Sequence, residues 1–132
     1  MTAQRLIYVV DDDPMINNLV AKRFTSEGYN VISFETGEDC LNALDKNPDL
    51  IILDYFFISN KKELMNGMEI FDRIKKSHVE IPVIMLSGQD KGEIVLELGR
   101  KGIDDYVIKD SNLIDNLSKA INDFFSRKQG KA

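Results

Sequence analysis

Charged and hydroxyl side chains directly follow four short apolar runs of the sequence, and these residues are the ones best suited to chemistry. They are Asp11, Asp12, Asp13, Asp54, Ser87 and Lys109. Apolar runs of this length are typical of buried strands, and neighbouring parallel strands present their carboxyl ends at one edge of a sheet. We therefore expect carboxylates, one hydroxyl and one ammonium group to converge at a single edge.

A cluster of this composition is suited to a divalent cation and to phosphate. Two or three carboxylates within a few ångströms repel one another strongly and cannot all stay ionised without a cation. Mg²⁺ is a suitable partner because it is commonly held by one or two carboxylates together with waters and phosphate. A carboxylate beside Mg²⁺ can act as a nucleophile and accept a phosphoryl group, while Lys109 and Ser87 can stabilise the transferring oxygens.

The elements that position these residues alternate along the chain between apolar runs and segments of helical period. The apolar runs predict five strands, at Leu6–Val10, Tyr29–Phe34, Leu50–Leu53, Ile81–Leu86 and Asp105–Ile108. Five βα units in a row indicate an α/β fold in which a doubly wound parallel sheet has helices on both faces. In such sheets ligands bind beyond the carboxyl ends of the strands, where the strand order reverses.

Segments of helical period lie between the predicted strands. A first helix begins at Pro14, which suits a first-turn position, and ends before Gly28. Its apolar stripe consists of Ile16, Leu19, Val20 and Phe24. Thr36 is typical of a residue that caps a second helix. A fourth helix is marked by Ile94, Val95 and Leu98.

The length of 132 residues fits one domain, and the composition excludes several classes of function. The net charge of −5 argues against a general nucleic-acid binder, whose affinity depends on cations that face phosphates. A single cysteine, Cys40, excludes an intramolecular disulfide and a zinc site built from several cysteines. The longest apolar runs are about six residues, too short to span a bilayer, and Met1–Leu6 holds no signal peptide. We expect a cytoplasmic protein without membrane insertion.

The polar residues that follow the apolar runs, in this order along the chain, resemble the receiver domain of two-component response regulators in its stand-alone, CheY-like form. The motifs that carry the resemblance are IYVVDDDP, DLIILD, IPVIMLSG and DYVIK. The resemblance covers residues 5–126 and leaves residues 127–132 as a polar C-terminal tail, which we expect to be disordered and dispensable from Arg127. It implies a flavodoxin-like, three-layer α/β/α fold with the strand order 2-1-3-4-5.

The resemblance implies a role for three carboxylates of the predicted cluster. Asp54 corresponds to the phosphoacceptor and also to a Mg²⁺ ligand, while Asp11 and Asp12 correspond to Mg²⁺-site residues. Phe56 stands two residues after Asp54, at the position where the family supplies a backbone carbonyl to the metal. That carbonyl is present whatever the side chain, so the resemblance implies an intact Mg²⁺ site.

The resemblance also implies how a signal would enter and leave the protein. Ser87 corresponds to the switch hydroxyl, Lys109 to the lysine that bridges to the phosphate, and Tyr106 to the aromatic switch. The resemblance implies that the phosphoryl donor is a sensor histidine kinase or a histidine phosphotransfer protein, and that the protein is not a turnover enzyme acting on an external substrate. The downstream target is a protein that binds the face of the fourth helix, the fifth strand and the fifth helix. No effector domain follows the last helix, so we expect no direct contact with nucleic acid. The sequence is compatible with either a monomer or a homodimer.

Three features depart from the usual pattern of the family. The segment Tyr55–Asn66 has no clear periodicity, lacks the usual proline and is several residues longer. Asp110 follows Lys109 where the family usually has proline, and a cis bond before any other residue costs about 3 kcal/mol, so we predict a trans peptide. The bulky Phe56, together with Gln89, is expected to alter the access of water to the phosphoryl group and hence its lifetime.

Three other functions fit parts of the pattern. A haloacid-dehalogenase-type phosphatase has two aspartates spaced like Asp11 and Asp13, but a helix that begins at Pro14 leaves no room for that family's flap, and Asp54 would have no role. A pseudo-receiver that binds a partner independently of phosphorylation is motivated by the long segment after Asp54. A flavodoxin-like FMN carrier is disfavoured, because carboxylates stand where a phosphate needs hydroxyls and free N–H groups.

Overall fold

The computed structural model of the chain describes residues 4–55, 67–88, 96–97 and 99–130. Its centre is a sheet of five parallel strands in the order β2-β1-β3-β4-β5. The strands are β1 (Leu6–Val10), β2 (Asn30–Phe34), β3 (Leu50–Asp54), β4 (Val83–Ser87) and β5 (Asp105–Ile108). The five predicted strands and their order are confirmed, with ends that differ from the prediction by no more than two residues.

Helices cover both faces of the sheet, which confirms the three-layer α/β/α architecture. They are α1 (Pro14–Ser26), α2 (Gly37–Asn42), α3 (Gly67–Ser77) and the C-terminal helix (Leu113–Gly130), and a short 3₁₀ turn, Leu44–Lys46, follows α2. Residues 96–97 and 99–100 are also helical, whereas Ile94, Val95 and Leu98, which predicted the fourth helix, lie outside the described residues. None of the helices in the described ranges is both long and apolar enough to cross a membrane.

The two faces of the sheet bury separate sets of apolar side chains. Side chains along β1 alternate between them, so that Ile7 and Val9 pack with residues of α1 and the C-terminal helix, while Tyr8 and Val10 pack with residues of α2 and α3. Cys40 is buried in the second set, as a packing residue. Strands β3 and β4 are buried along their whole length, whereas the edge strands β2 and β5 are partly exposed. The central strands therefore give the site residues a rigid base.

Local side-chain hydrogen bonds set the starts of the first two helices. Asp13 caps α1 by accepting a hydrogen bond from the backbone N of Met15 at 2.9 Å, and a proline occupies the first turn. Thr36 caps α2 by accepting from the backbone N of Asp39 at 3.2 Å. Gly28, with a φ of +98°, turns the chain from α1 into β2, a backbone conformation that glycine adopts readily.

The C-terminal helix extends further than predicted. It continues to Gly130, so the tail that we expected to be disordered from Arg127 is helical over residues 127–130. Among the helix side chains that the structure describes, the last one buried in the core is Phe125, and the prediction wrongly placed the helix end close to it. Arginine, lysine and glutamine are good helix formers, so backbone hydrogen bonding propagates beyond the last apolar contact.

The apolar stripe predicted for α1 is also wrong at one position. Leu19 is 46% exposed, whereas Asn17 is 3% exposed and shares the buried face of the helix with Val20 and Phe24. Residues 17, 20 and 24 follow the helical spacing of one face, and Leu19 lies about 100° away from Val20 around the helix axis. A polar residue thus occupies the place on this face nearest to the end of β1.

Candidate functional site

The parallel register brings the ends of four strands together at one edge of the sheet. Asp54, the last residue of β3, pairs with Leu86 of β4. Ser87 pairs with Ile108 at the end of β5, and the carbonyl of Ser87 accepts a hydrogen bond from the backbone N of Lys109 at 2.8 Å. Strand β1 lies on the other side of β3 and leads directly into the acidic run. The edge therefore carries the predicted residues Asp11, Asp12, Asp54, Ser87 and Lys109.

Three carboxylates form a compact cluster at this edge. One oxygen from each of Asp11, Asp12 and Asp54 lies within 4.8 Å of the other two, with Asp11 and Asp54 buried and Asp12 partly exposed. Oδ2 of Asp11 and Oδ2 of Asp54 are both buried and make no hydrogen bond of good geometry, although the former lies against Lys109. Hard oxygen donors at this spacing fit Mg²⁺, which binds carboxylates and retains several waters. The residues that sequence analysis assigned to a cation site therefore fit that assignment.

Lys109 is the cation closest to these carboxylates among the described residues. Its Nζ atom lies 2.6 Å from Oδ2 of Asp11 and 3.0 Å from Oδ1 of Asp54, and its side chain is 18% exposed. One ammonium group offsets only part of the charge of three carboxylates, so the cluster stays negative when all of them are ionised. The peptide between Lys109 and Asp110 is trans, as predicted from the absence of proline there.

Burial and mutual repulsion change the proton affinities of this cluster. Burial, followed by the charge of Asp11, raises the pKa of Asp54 to about 7, although Lys109 acts in the opposite direction. Burial likewise raises the pKa of Asp11 against the effect of its hydrogen bond with Lys109. Burial lowers the pKa of Lys109, but its hydrogen bond with Asp11 and the charges of both aspartates outweigh burial and raise that pKa overall. Without a metal cation, Asp54 therefore gains or loses its proton close to neutral pH.

Asp11 is held by hydrogen bonds of its backbone and of one carboxylate oxygen. Its backbone N donates to the carbonyl of Phe34 at 3.1 Å, and its own carbonyl accepts from Nδ2 of Asn17 at 2.7 Å. Its Oδ1 atom accepts from the backbone N of Asp13 at 2.9 Å. Sequence analysis missed Asn17, although its position three residues before Val20 on the buried face of α1 could have indicated it.

A close backbone contact fixes the chain after Asp54. Gly67, the first residue of α3, donates a hydrogen bond from its N to the carbonyl of Tyr55 at 3.0 Å. A Cβ atom on Gly67 would lie 2.3 Å from the carbonyl oxygen of Asp54 and 2.6 Å from the Cα of Tyr55. Only glycine fits there without a shift of the backbone, so Gly67 is a second site residue that was not singled out from the sequence. Phe56 and Gln89, for which we predicted site contributions, lie outside the described residues.

The two predicted switch residues sit at different depths. Ser87 is fully buried at the end of β4, close to the acidic cluster in the sheet. Tyr106 pairs with Met85 in the sheet register, is partly exposed and packs against the core that contains Met85. A groove of about 350 Å³ lies beside Tyr106, between β5 and the C-terminal helix, and is lined by residues that include Asp105, Lys119 and Asp123.

Asp13 is accounted for by the local structure of the chain. Its side chain caps α1, and that helix begins at the next residue, so the first loop has no space for an inserted flap. The phosphatase alternative based on Asp11 and Asp13 is therefore not supported. Asp54, which that alternative left without a role, lies within the cluster.

A comparison with protein families identifies the chain. The model of the response regulator receiver domain matches residues 7–122. The chain therefore belongs to the response regulator receiver domain family and is a receiver of two-component signal transduction.

Curated relatives support this assignment. The chain is 36% identical over 110 residues to the nitrogen assimilation regulatory protein NtrX of Azorhizobium caulinodans, a match that covers 80% of this chain and 23% of NtrX. It is also 36% identical over 107 residues to the transcriptional regulatory protein CpxR of Escherichia coli K12, covering 80% of this chain and 43% of CpxR. The chain thus spans less than half the length of the curated relatives it matches.

Solved structures agree with the sheet topology and with the family. The response regulator DrrB of Thermotoga maritima, an OmpR/PhoB homologue, superposes with a TM-score of 0.83 at 31% identity, over 96% of this chain and 54% of DrrB. A CheY-like receiver domain protein from Methanospirillum hungatei superposes with a TM-score of 0.81 at 25% identity, over 98% of this chain and 100% of that protein. The predicted CheY-like fold is confirmed.

Proposed function

We propose that Asp54 accepts a phosphoryl group from a sensor histidine kinase or a histidine phosphotransfer protein, and that phosphorylation changes a protein-binding surface. The observation that carries this proposal is the environment of Asp54. Its Oδ1 atom is paired with Lys109, while its Oδ2 atom is buried without a hydrogen-bond partner and so offers a free nucleophilic oxygen. The site lies at the sheet edge where doubly wound folds bind their ligands.

The transfer step is a displacement at phosphorus. A carboxylate oxygen of Asp54 forms a bond to the phosphorus of the donor, and the bond from phosphorus to the donor histidine nitrogen breaks, with its electron pair remaining on that nitrogen. The product is an acyl phosphate on Asp54. Lys109 neutralises charge on the transferred oxygens, and the Ser87 hydroxyl donates a hydrogen bond to one of them.

The charge of the carboxylate cluster makes this step dependent on a divalent cation. Asp11, Asp12 and Asp54 would hold Mg²⁺, together with the backbone carbonyl of Phe56. When bound, Mg²⁺ would neutralise these carboxylates and the oxygens of the phosphoryl group. Asp54 is then kept in its ionised, nucleophilic form at neutral pH, where burial alone favours a protonated carboxyl.

Phosphorylation would be transmitted through Ser87 and Tyr106. Movement of the Ser87 hydroxyl toward the phosphoryl oxygens leaves space into which the Tyr106 ring turns, because Tyr106 is partly exposed on the neighbouring strand. The surface that changes is the face of the fourth helix, β5 and the C-terminal helix, which would bind a downstream protein or a second copy of the chain. Phosphorylation can shift this equilibrium only by its differential interaction with the two arrangements.

The wider role follows from the same proposal. The chain would act in the cytoplasm, as a receiver domain over residues 5–126, without turnover of an external substrate and without direct contact with nucleic acid. Residues 127–132 would lie outside the functional unit, although the helix continues into them.

Intact-mass spectrometry after incubation with acetyl phosphate and Mg²⁺ tests the proposal, with Asp54→Asn as the control. We expect one phosphoryl adduct on the wild-type protein and none on the variant. An adduct that persists in Asp54→Asn would mean that another residue is the acceptor. Absence of both an adduct and a complex with beryllofluoride would instead favour a pseudo-receiver that binds its partner independently of phosphorylation.

A further inference from the structure

Asn17 occupies an unusual place for an amide side chain. It lies near the start of α1, on the buried face that it shares with Val20 and Phe24, and it is 3% exposed. The core-facing stripe of an amphipathic helix is ordinarily apolar. A polar side chain in such a place is tolerated when its hydrogen bonds compensate for the loss of water.

The side-chain nitrogen of Asn17 joins the ends of two strands. Nδ2 donates one hydrogen bond to the carbonyl of Asp11 at 2.7 Å and another to the carbonyl of Phe34 at 3.2 Å. Both partners are acceptors, so the chemistry fixes which end of the amide faces them. The same Phe34 carbonyl accepts from the backbone N of Asp11 at 3.1 Å. The peptide groups before and after the Cα of Asp11 are therefore both held in place.

The other end of the amide argues against a purely stabilising role. Oδ1 of Asn17 is buried and has no hydrogen-bond partner, which lowers the stability of the folded state. A leucine, which has the same number of side-chain heavy atoms, would bury no such acceptor. The contribution of Asn17 therefore lies in its two donated hydrogen bonds, and one of them ends on Asp11.

We propose that Asn17 is a positioning residue for the cation site, acting through the backbone of Asp11. It binds the carbonyl of Asp11 directly, and it also binds the Phe34 carbonyl that accepts from the backbone N of Asp11. Through these two contacts it helps to set the direction in which the side chains of Asp11 and Asp12 leave the chain. The inference rests on the proposed function, in which these carboxylates hold Mg²⁺. Removal of a group that orients a metal ligand typically weakens metal binding by about 10–100-fold. Because Asn17 acts through the backbone, we expect an effect of about tenfold.

Calorimetric titration of the full chain with Mg²⁺ alone tests this inference, in parallel with thermal melting. Asn17→Leu removes both donors and keeps the branched outline of the side chain, with some added bulk. Val20→Ala is the matched control, because Val20 is buried on the same face of α1, within the apolar core and away from the hydrogen bonds to Asp11. We expect Asn17→Leu to raise the Mg²⁺ dissociation constant by about tenfold. Val20→Ala should lower the melting temperature and leave that constant unchanged.

Each other outcome contradicts the inference or the proposal beneath it. Equal Mg²⁺ affinity in wild type and Asn17→Leu would mean that Asn17 serves packing alone. An equal loss of affinity in Val20→Ala would mean that any loosening of α1 disturbs the site. If Asn17→Leu does not fold, Asn17→Ala removes the same donors without added bulk and is judged by the same two measurements. No Mg²⁺ binding by the wild-type protein would overturn the proposed function, and this inference with it.

Discussion

Asp11 and Asp54 emerge from neighbouring strands and are equally buried, yet the protein holds them in opposite ways. Asp11 has hydrogen-bond partners for its backbone N, its carbonyl and its Oδ1 atom, and its Oδ2 atom contacts Lys109. Asp54 shares Lys109 through Oδ1, but its Oδ2 atom has no hydrogen-bond partner. Burial and the charge of Asp11 raise the pKa of Asp54 to about 7, although Lys109 acts against them.

Under the proposed function, this difference distinguishes a fixed metal ligand, Asp11, from the reactive group, Asp54. A carboxylate whose backbone and Oδ1 are hydrogen-bonded, and whose Oδ2 is paired with an ammonium group, changes little during a reaction and is suited to hold a cation in place. A buried carboxylate with one oxygen left free is destabilised in its resting state, and that destabilisation is relieved when the oxygen forms a new bond or binds a cation. Substitutions at and around the two aspartates should therefore have different effects.

Substitution of the two aspartates should give the largest contrast. Asp54→Asn removes the nucleophile, so the phosphoryl adduct from acetyl phosphate should fall below detection. Asp11→Asn keeps the nucleophile and weakens charge stabilisation around the transferred group, so phosphorylation should slow by about 10²-fold. The rate of adduct formation, followed by mass spectrometry at fixed Mg²⁺ concentration, measures both effects. Equal loss in the two variants would contradict the division into ligand and acceptor.

Removal of the Lys109 ammonium group, which contacts both aspartates, should destabilise Asp11 and Asp54 at once. Lys109→Met leaves two buried carboxylates without their ion pair, and we expect the free energy of unfolding to fall by about 3 kcal/mol without Mg²⁺. Part of this loss should return in millimolar Mg²⁺, which binds the folded state. Denaturant titration with and without Mg²⁺ measures both quantities. The control is Lys101→Met, since the pair of Lys101 with Asp72 is partly exposed and should contribute less than about 1 kcal/mol.

Backbone crowding beside Asp54 predicts a smaller loss of stability when Gly67 is replaced, because the added atom meets the backbone of Asp54 and Tyr55 and not that of Asp11. Gly67→Ala places a Cβ against the carbonyl of Asp54, and we expect a loss of about 2 kcal/mol in the free energy of unfolding. The matched control is Gly88→Ala, because a Cβ on Gly88 meets no atom within 4 Å. Denaturant titration of both variants tests the prediction. If Gly88→Ala were equally destabilised, crowding at Gly67 would not be the cause of the loss, since the lower flexibility of the unfolded chain alone favours folding.

Protonation of Asp54 should change the free energy of unfolding by about 1 kcal/mol or more between acidic and neutral pH. The folded-state pKa of Asp54 is raised above its unfolded value of 3.8 to about 7, so the folded state binds the extra proton. The stability contributed by that proton is complete below pH 3.8 and is lost as pH rises through 7. Melting temperature without Mg²⁺ should therefore fall from pH 5 to pH 8, less steeply in Asp54→Asn. Identical slopes in the two proteins would contradict the raised pKa.

Most of the fold could be predicted from the sequence because strand identity depends on short apolar runs. The site could be predicted for the same reason, since parallel strands bring the residues at their carboxyl ends together. Asn17 could not be found in this way, because its role depends on which face of α1 meets the sheet. In the sequence alone, the apolar Leu19 was the better candidate for the buried face, although the structure buries Asn17 there instead.

The end of the C-terminal helix and the need for glycine at position 67 could not be predicted from residue types alone. The end of the C-terminal helix was misplaced because polarity marks the end of core contacts, whereas helical hydrogen bonding propagates past Phe125. The requirement for glycine at position 67 depends on the distance between two backbone segments that are far apart in sequence. Such a distance is known only when the strands are assembled.

The hydrogen bond between Tyr55 and Gly67 has a consequence for the evolution of chain length at this site. The chain leaves the sheet at Tyr55, and Gly67 lies in hydrogen-bond contact with it, so the two ends of whatever connects them are close together. The entropy of closing such a connection grows only logarithmically, by about 0.6 kcal/mol for each doubling of its length. Insertions and deletions here are therefore nearly neutral for folding, and the sheet register of Asp54 with Leu86 is independent of them.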